Sequence, residues 1–363
     1  MKCEKRFRKF HHNISLKQSR VDRIASAVSA LRKFVSEDSS DDDGEPGIAD
    51  VLNDFFLQGS YAMGTAVRPA NEDEEYDVDV MLALALATDG EDLPSGEQVL
   101  LWLQRRLEGN PDYEGKTSVG HRCVRIDFAG EFHLDVVAAI PKKGKGTSLW
   151  IPDADGGWQE TDPKGLMRWF ADCGSGRDGK LERTVMYLKW WRSIHDIEIK
   201  SVVLTALLGD HAHQGKSDAE ALVATMESLD RWLGRRDDKP RVNHPTVGCD
   251  MAENWTQDEY EEFRDEFHEA TVISRDALDE EDEEESVALW REVFGEQFPK
   301  HVPREDGKSR DKKAAIPTEA DVDDLRTALK QDLVGASASA GSVYVASGSR
   351  RRAVPTRPWR GDA

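Results

Sequence analysis

The sequence predicts an α+β protein in which a sheet-bearing N-terminal part is followed by an all-helical one. Two patterns carry this reading. Up to about Pro163, short apolar runs alternate every second residue between glycine, proline and acidic turns, whereas beyond it apolar residues recur every three or four positions. Strands gathered ahead of helices, rather than interleaved with them, mark the α+β class. At 363 residues the chain has room for one two-lobed unit or two domains.

In order, Val21, Ile24, Val28, Leu31 and Val35 repeat at helical spacing and predict one long helix over residues 13–37. Residues 37–47, EDSSDDDGEPG, break it with like charges, Gly and Pro and read as a solvated loop without fixed geometry. FFLQ (55–58) reads as a strand running into Gly59 and Ser60, and 76–86 as a second strand. A loop, DGEDLPSGE, precedes a helix over 97–108 that covers the sheet. RCVRIDF (122–128) and FHLDVVAAI form a hairpin about an AGE turn, LWIPD (149–153) is a further strand, and DGGWQETDP closes the first lobe. Helical stripes then cover 179–195, 200–211 and 218–233, with a long helix from near Thr256 that the acids of 279–285 interrupt or end, and a last one in ESVALWREVFGEQF. Each is too polar to stand alone, so they pack as a bundle, with Trp190 and Trp191 in its core rather than stacking on a base. The expected divisions are 1–160, 161–300 and a linker with a Ser/Gly/Ala-rich, basic, disordered tail over 301–363.

The chemistry concentrates in residues 58–82, QGSYAMGTAVRPANEDEEYDVDVML. Gly59 lets backbone N–H groups approach a phosphate, and the Ser60 hydroxyl adds a donor. Alternation along the next strand puts Asp77 and Asp79 on one face and Val78, Val80 and Leu82 on the other. In FHLDVVAAI the residues His133, Asp135 and Val137 alternate with Leu134, Val136 and Ala138, so Asp135 can join the pair. Carboxylates this close raise one another's pKa unless a cation lies between them, and magnesium, a hard ion, suits oxygen donors. A Gly-Ser alone is usually a turn, and an Asp-x-Asp alone is usually a solvated strand face. Their conjunction with a further strand Asp points to a phosphate-handling site. NEDEE (71–75) reads as a polar turn.

G-S-Y-x-x-G-T-x-x-x-P, then D-V-D-V-M and L-D-V-V-x-x-I-P, resemble the bacterial CD-NTases, relatives of cyclic GMP–AMP synthase in the polymerase β-type nucleotidyltransferase superfamily. The resemblance covers roughly residues 51–201 and includes the wording of Thr65, Arg68 and Pro69. It implies a polymerase β-like lobe with a mixed, twisted sheet, an α-helical lobe, and a long N-terminal spine helix along both. It also implies synthesis of a cyclic di- or trinucleotide messenger in anti-phage signalling, by two-metal attack of a ribose hydroxyl on an α-phosphate. Asp77, Asp79 and Asp135 are then the catalytic and metal residues, with two Mg2+ ions or Mn2+ in their place. Gly59 and Ser60 hold the triphosphate, Gln58 contacts the nucleotide, and Lys189 and Ser201 add a cation and a hydroxyl from the helical lobe. Family precedent further suggests ubiquitin-like conjugation of the Gly361-Asp362-Ala363 end, or a regulatory partner protein.

A net charge of −21 opposes a duplex nucleic-acid partner, which needs a broad basic face, but leaves nucleoside triphosphates open. No apolar run reaches the roughly 20 residues of a membrane span, and the basic N-terminus lacks the apolar stretch of a secretory signal, so the cytoplasm is expected. Cys3, Cys123, Cys173 and Cys249 are scattered, and His211, His213 and His244 read as surface or helix-end residues rather than zinc ligands. Two other functions remain open. A linear oligoadenylate-like synthase or RNA-end nucleotidyltransferase would give phosphatase-sensitive products, and a nucleotide-sensing scaffold would release no pyrophosphate. Bases, ring size, linkage, activating signal and oligomeric state have no motif.

Overall fold

In a computed structural model, the described residues are 3–40, 44–70, 75–86, 93–128, 132–142, 144 and 146–302. The chain forms α1 (Glu4–Ile14), α2 (Gln18–Glu37), α3 (Ile48–Val51), β1 (Leu52–Gln58), α4 (Gly59–Ala62), β2 (Tyr76–Leu84), α5 (Gly96–Glu108) and β3 (Thr117–Val119). There follow β4 (Val124–Phe128), β5 (Phe132–Pro141), β6 (Leu149–Pro152), β7 (Trp158–Thr161), α6 (Pro163–Gly174), α7 (Lys180–Ile194) and α8 (Ser201–Asp210). The last elements are α9 (Asp218–Leu233), α10 (Gln257–Asp279) and α11 (Glu283–Phe294). The AGE turn, most of NEDEE and all but the first two residues of the expected 301–363 linker and tail, with its conjugation site, lie outside the described residues.

Among these residues, one compact unit takes 18–62 and 75–163, and the other takes 3–17, 63–70 and 164–302. The first is built on a seven-stranded mixed sheet, with the order β1-β2-β5-β4-β3 and with β6 and β7 added at the far end of β5. β2 and β5 are parallel, while the other paired strands are antiparallel. The period-2 pattern dictates the buried face: Val78, Val80, Leu82, Leu134 and Val136 are wholly buried, as are Val99 and Leu103 of α5. Ser95 starts α5 through a capping box with Gln98, each side chain accepting from the other residue's backbone N–H. Farther along α5, Arg106 forks onto Asp38 at 2.6 and 3.0 Å and Arg105 pairs with Glu45 at 2.8 Å. The acidic loop therefore has fixed anchors, contrary to its reading as freely solvated. Those partners lie sixty or more residues away in sequence, beyond the reach of local pattern.

The second unit is helical, around an aromatic core in which Phe7 and Phe10 of α1 meet Tyr187, Phe294 and Phe298. The helix expected over 13–37 is α2, starting five residues later at Gln18, and a separate α1 precedes it. Ser15 is extended and its hydroxyl donates to the His11 carbonyl at 2.6 Å, ending α1 before α2 starts at Gln18. The acidic run 279–285 ends α10 and starts α11, where Asp282 accepts from the N–H groups of Glu284 and Glu285. Glu283, Glu284 and Glu285 then occupy a first turn whose partial positive charge favours them. Trp190 and Trp191 are buried, as expected. The N-terminal α1, the single-turn α3 and α4, the short strands β3 and β7, and the Pro-initiated α6 were not among the expected elements. No helix among the described residues is long and apolar enough to cross a membrane.

Candidate active site

Strand register assembles the site on one face of the sheet. Gln58 pairs with Asp79, Asp79 with Asp135, and Asp135 with Arg125. Cross-strand partners project from the same face, so these four side chains form a transverse row. The adjacent row holds Asp77, His133 and Asp127. Farther along the same face Met81, Ala83, Val137 and Ala139 are buried, which confines the acids to its open end. Asp77 is exposed there, and Asp79 and Asp135 are half-buried.

The turn leaving β1 lies against this row. Gly59 has φ +68°, and a Cβ at this position would overlap the Asp79 carboxylate oxygen. Only glycine combines that left-handed backbone with that approach at no steric cost. The next residue, Ser60, shares a hydrogen bond of 3.2 Å with the Tyr76 hydroxyl. Burial pushes the Tyr76 phenol far up, so it serves as a neutral partner.

Cationic side chains surround the acids. Arg125 donates through Nε to Asp135 Oδ1 at 2.9 Å and through Nη2 to Oδ2 at 3.0 Å, and the same Nη2 lies 3.6 Å from Asp77 Oδ1. Buried His133 meets Asp77 through Nε2 and lies 3.2 Å from Glu75 through Nδ1. The hydrogen bond from His133, aided by the charges of His133 and Arg125, holds the Asp77 carboxyl below the usual range. Burial drives the His133 pKa down, but the hydrogen bond and charge of Asp77, with Glu75, outweigh it and hold the pKa above the ordinary value. Burial, reinforced by the Asp135 charge, pushes the neighbouring Cys123 thiol up to about 12, so it stays protonated. Ligand atoms of Asp77, His133 and Asp135 all lie within 4.8 Å of one another. With Asp79 beside Asp135 in the row, this oxygen-rich donor set fits a hard divalent ion.

Residues 1–173 match the family described as the Second Messenger Oligonucleotide or Dinucleotide Synthetase domain. A cyclic AMP-AMP-AMP synthase of Acinetobacter sp. is 29% identical over 273 residues, covering 72% of this chain and 77% of that protein. The Bradyrhizobium diazoefficiens CD-NTase CdnG in complex with GTP superposes with a TM-score of 0.65 at 18% identity, over 81% of this chain and 95% of the other. Escherichia coli CdnC in its complex with HORMA-deltaN gives 0.63 at 19% identity, over 82% and 98%. Over residues 1–173 the chain is similar to second-messenger synthetases, and its fold is that of the solved bacterial CD-NTases.

Nucleotidyltransferases generally work with divalent metals, and the acidic face described above is where such ions fit. The two helical-unit residues singled out in the sequence sit as follows. Lys189 is buried, and its Nζ donates to the carbonyl and hydroxyl oxygens of Thr65, each at 3.3 Å. Ser201 opens α8, and its hydroxyl accepts from Arg192 at 2.9 Å. Arg68, in the same loop as Thr65, stacks its guanidinium 5.6 Å from the Trp190 ring centroid. Sequence reasoning gave no role to Arg125, His133 or Glu75. Alternation between Val124 and Ile126 already turns Arg125 to the face opposite the core, but only the β4–β5 register brings it to Asp135.

Proposed function

We propose that this chain is a CD-NTase that joins nucleoside triphosphates into a cyclic di- or trinucleotide second messenger. One observation carries the reading: carboxylates from two neighbouring parallel strands share a sheet face directly beside the Gly59–Ser60 turn. In the reaction a ribose hydroxyl oxygen bonds to the α-phosphorus, the bond from that phosphorus to the pyrophosphate oxygen breaks, and the hydroxyl proton departs. Divalent ions, magnesium with manganese as a substitute, supply Lewis-acid stabilisation of the attacking and leaving oxygens when bound. Asp77, Asp79 and Asp135 would hold them, and Asp135 would also orient the hydroxyl proton as it passes to solvent. The Gly59 N–H and the Ser60 hydroxyl receive the terminal phosphates, and Gln58, at the end of the acid row, contacts the nucleotide. Lys189 and Ser201 are further proposed contacts of the triphosphate. The same displacement within the finished linear intermediate, expelling the pyrophosphate of its own 5′ end, closes the ring.

The setting is the cytoplasm, in anti-phage signalling, with nucleoside triphosphates as substrates. The HORMA-deltaN complex of CdnC supports a regulatory protein partner here as well. The test is incubation with labelled ATP, GTP, CTP and UTP and magnesium, phosphatase treatment, and mass spectrometry of what survives. Phosphatase-resistant cyclic products are expected. Phosphatase-sensitive chains would overturn cyclisation, and no pyrophosphate release would overturn the enzyme.

A further inference from the structure

We infer that Arg125 is a positioning residue for the metal-binding acids, setting the plane of the Asp135 carboxylate and its spacing from Asp77. This rests on the reading of those acids given above and deepens it. Three observations lead there. Val124 and Ile126, on either side, are wholly buried, so β4 aims Arg125 at the acid face and nowhere else. Its two bonds, Nε to Oδ1 at 2.9 Å and Nη2 to Oδ2 at 3.0 Å, engage both oxygens of Asp135 at once. A planar fork on a planar carboxylate removes its freedom to turn, which a single bond does not.

The third observation is the 3.6 Å approach of the same Nη2 to Asp77 Oδ1. One guanidinium from β4 thereby spans acids delivered by β2 and β5. Without it, two carboxylates with ligand atoms within 4.8 Å of each other repel, and Asp77, whose side chain is 59% exposed, has room to swing outward. Each carboxylate oxygen carries two lone pairs, so a fork occupying one per oxygen still leaves Asp135 able to ligate an ion. Arg125 thus acts through Asp135 rather than on substrate. A lysine supplies the same charge but not the fork, and this separates positioning from simple neutralisation.

The experiment compares full-length wild type, Arg125→Lys, Arg125→Gln and Asp77→Asn. Mn2+ affinity is read by electron paramagnetic resonance without nucleotide, alongside steady-state pyrophosphate release and thermal melting. For Arg125→Lys we expect Mn2+ binding weakened about 10-fold and kcat lowered about 10- to 100-fold, with the KM for nucleoside triphosphate nearly unchanged. Arg125→Gln is expected to lose as much. Wild-type Mn2+ affinity in Arg125→Lys overturns the inference, whether or not the melting temperature falls. Tighter Mn2+ binding by Arg125→Gln overturns it too, since it would show the arginine acting only as a repelling charge. Asp77→Asn binding Mn2+ like wild type would instead sink the metal reading itself.

Discussion

Gly59 is the position where the backbone and the acids constrain each other most directly, so Gly59→Ala makes a sharp perturbation. Its φ of +68° forces a substituted residue into the left-handed region, at about 1–2 kcal/mol. At about 2–4 °C of melting temperature per kcal/mol, the stability loss alone is about 2–8 °C. The second effect is local. The new Cβ overlaps an Asp79 carboxylate oxygen and stands 3.0 Å from its Cγ, so the carboxylate must rotate out of the row it shares with Asp135. A misplacement on the order of 1 Å in a reacting constellation costs about 100-fold, and kcat is expected to fall by that order. Gly59→Asn separates the two effects: asparagine tolerates the left-handed region but carries the same Cβ. Pyrophosphate release and differential scanning calorimetry are the assays, with Asn expected to recover melting temperature and not turnover. An active Gly59→Asn enzyme would refute the argument, because it would show that the turn needs only its backbone conformation and not the space against Asp79.

Asp77→Asn and Asp79→Asn are expected to reduce pyrophosphate release to background, Asp79→Asn with a stability change of no more than about 0.5 kcal/mol and Asp77→Asn with a loss of about 1 kcal/mol through its bond to buried His133; retained product formation by either would remove it from the metal-binding set. Lys189→Met deprives the buried Thr65 oxygens of their ammonium donor and is expected to cost about 1–3 kcal/mol in urea unfolding, together with a raised KM for nucleoside triphosphate. A stability loss with unchanged KM would assign Lys189 to holding the loop over residues 63–70 and nothing more. Arg275 bonds Glu227 at 2.7 Å and holds that carboxyl below its ordinary 4.5, so the pair's contribution is present above pH 4.5 and is lost as pH falls through the lowered value. Arg275→Met should therefore destabilise by at most about 1 kcal/mol at pH 7, with the gap from wild type closing in acid; a gap independent of pH would refute the assignment.

The sheet and the helices were legible because burial imposes period. Val78, Val80 and Leu82 alternate with Asp77 and Asp79 at the open end of a strand that is buried on both faces farther along, and that alternation determines which side the acids take. What escaped was decided by distance along the chain or by shortness. β7 has four half-buried residues and no apolar alternation, leaving nothing for a pattern to register. The N-terminal helix was masked by its basic residues, although Phe7, Phe10 and Ile14 form a narrow buried stripe in it. Asp38 looked like one more acid in a solvated run until Arg106, on a helix begun more than fifty residues later, was folded against it.

The same distinction explains why the acids of the site could be read and their partners could not. A carboxylate at the open end of an apolar strand is conspicuous, because a sequence has no structural reason to set several there. An arginine between two valine-like neighbours is ordinary, since the solvent face of a half-buried strand commonly carries one. Arg125 acquires meaning only from register, and a slip of a single residue between β4 and β5 would send it to the other face and leave Asp135 without its fork. The expected difficulty of crowding like charges is met by cations that this chain supplies itself: His133 lowers the pKa of Asp77, and Arg125 spans Asp77 and Asp135. It follows that the acid face is organised by the fold before any ion arrives, and that its precision depends as much on the strand pairing of β4 as on the acids of β2 and β5.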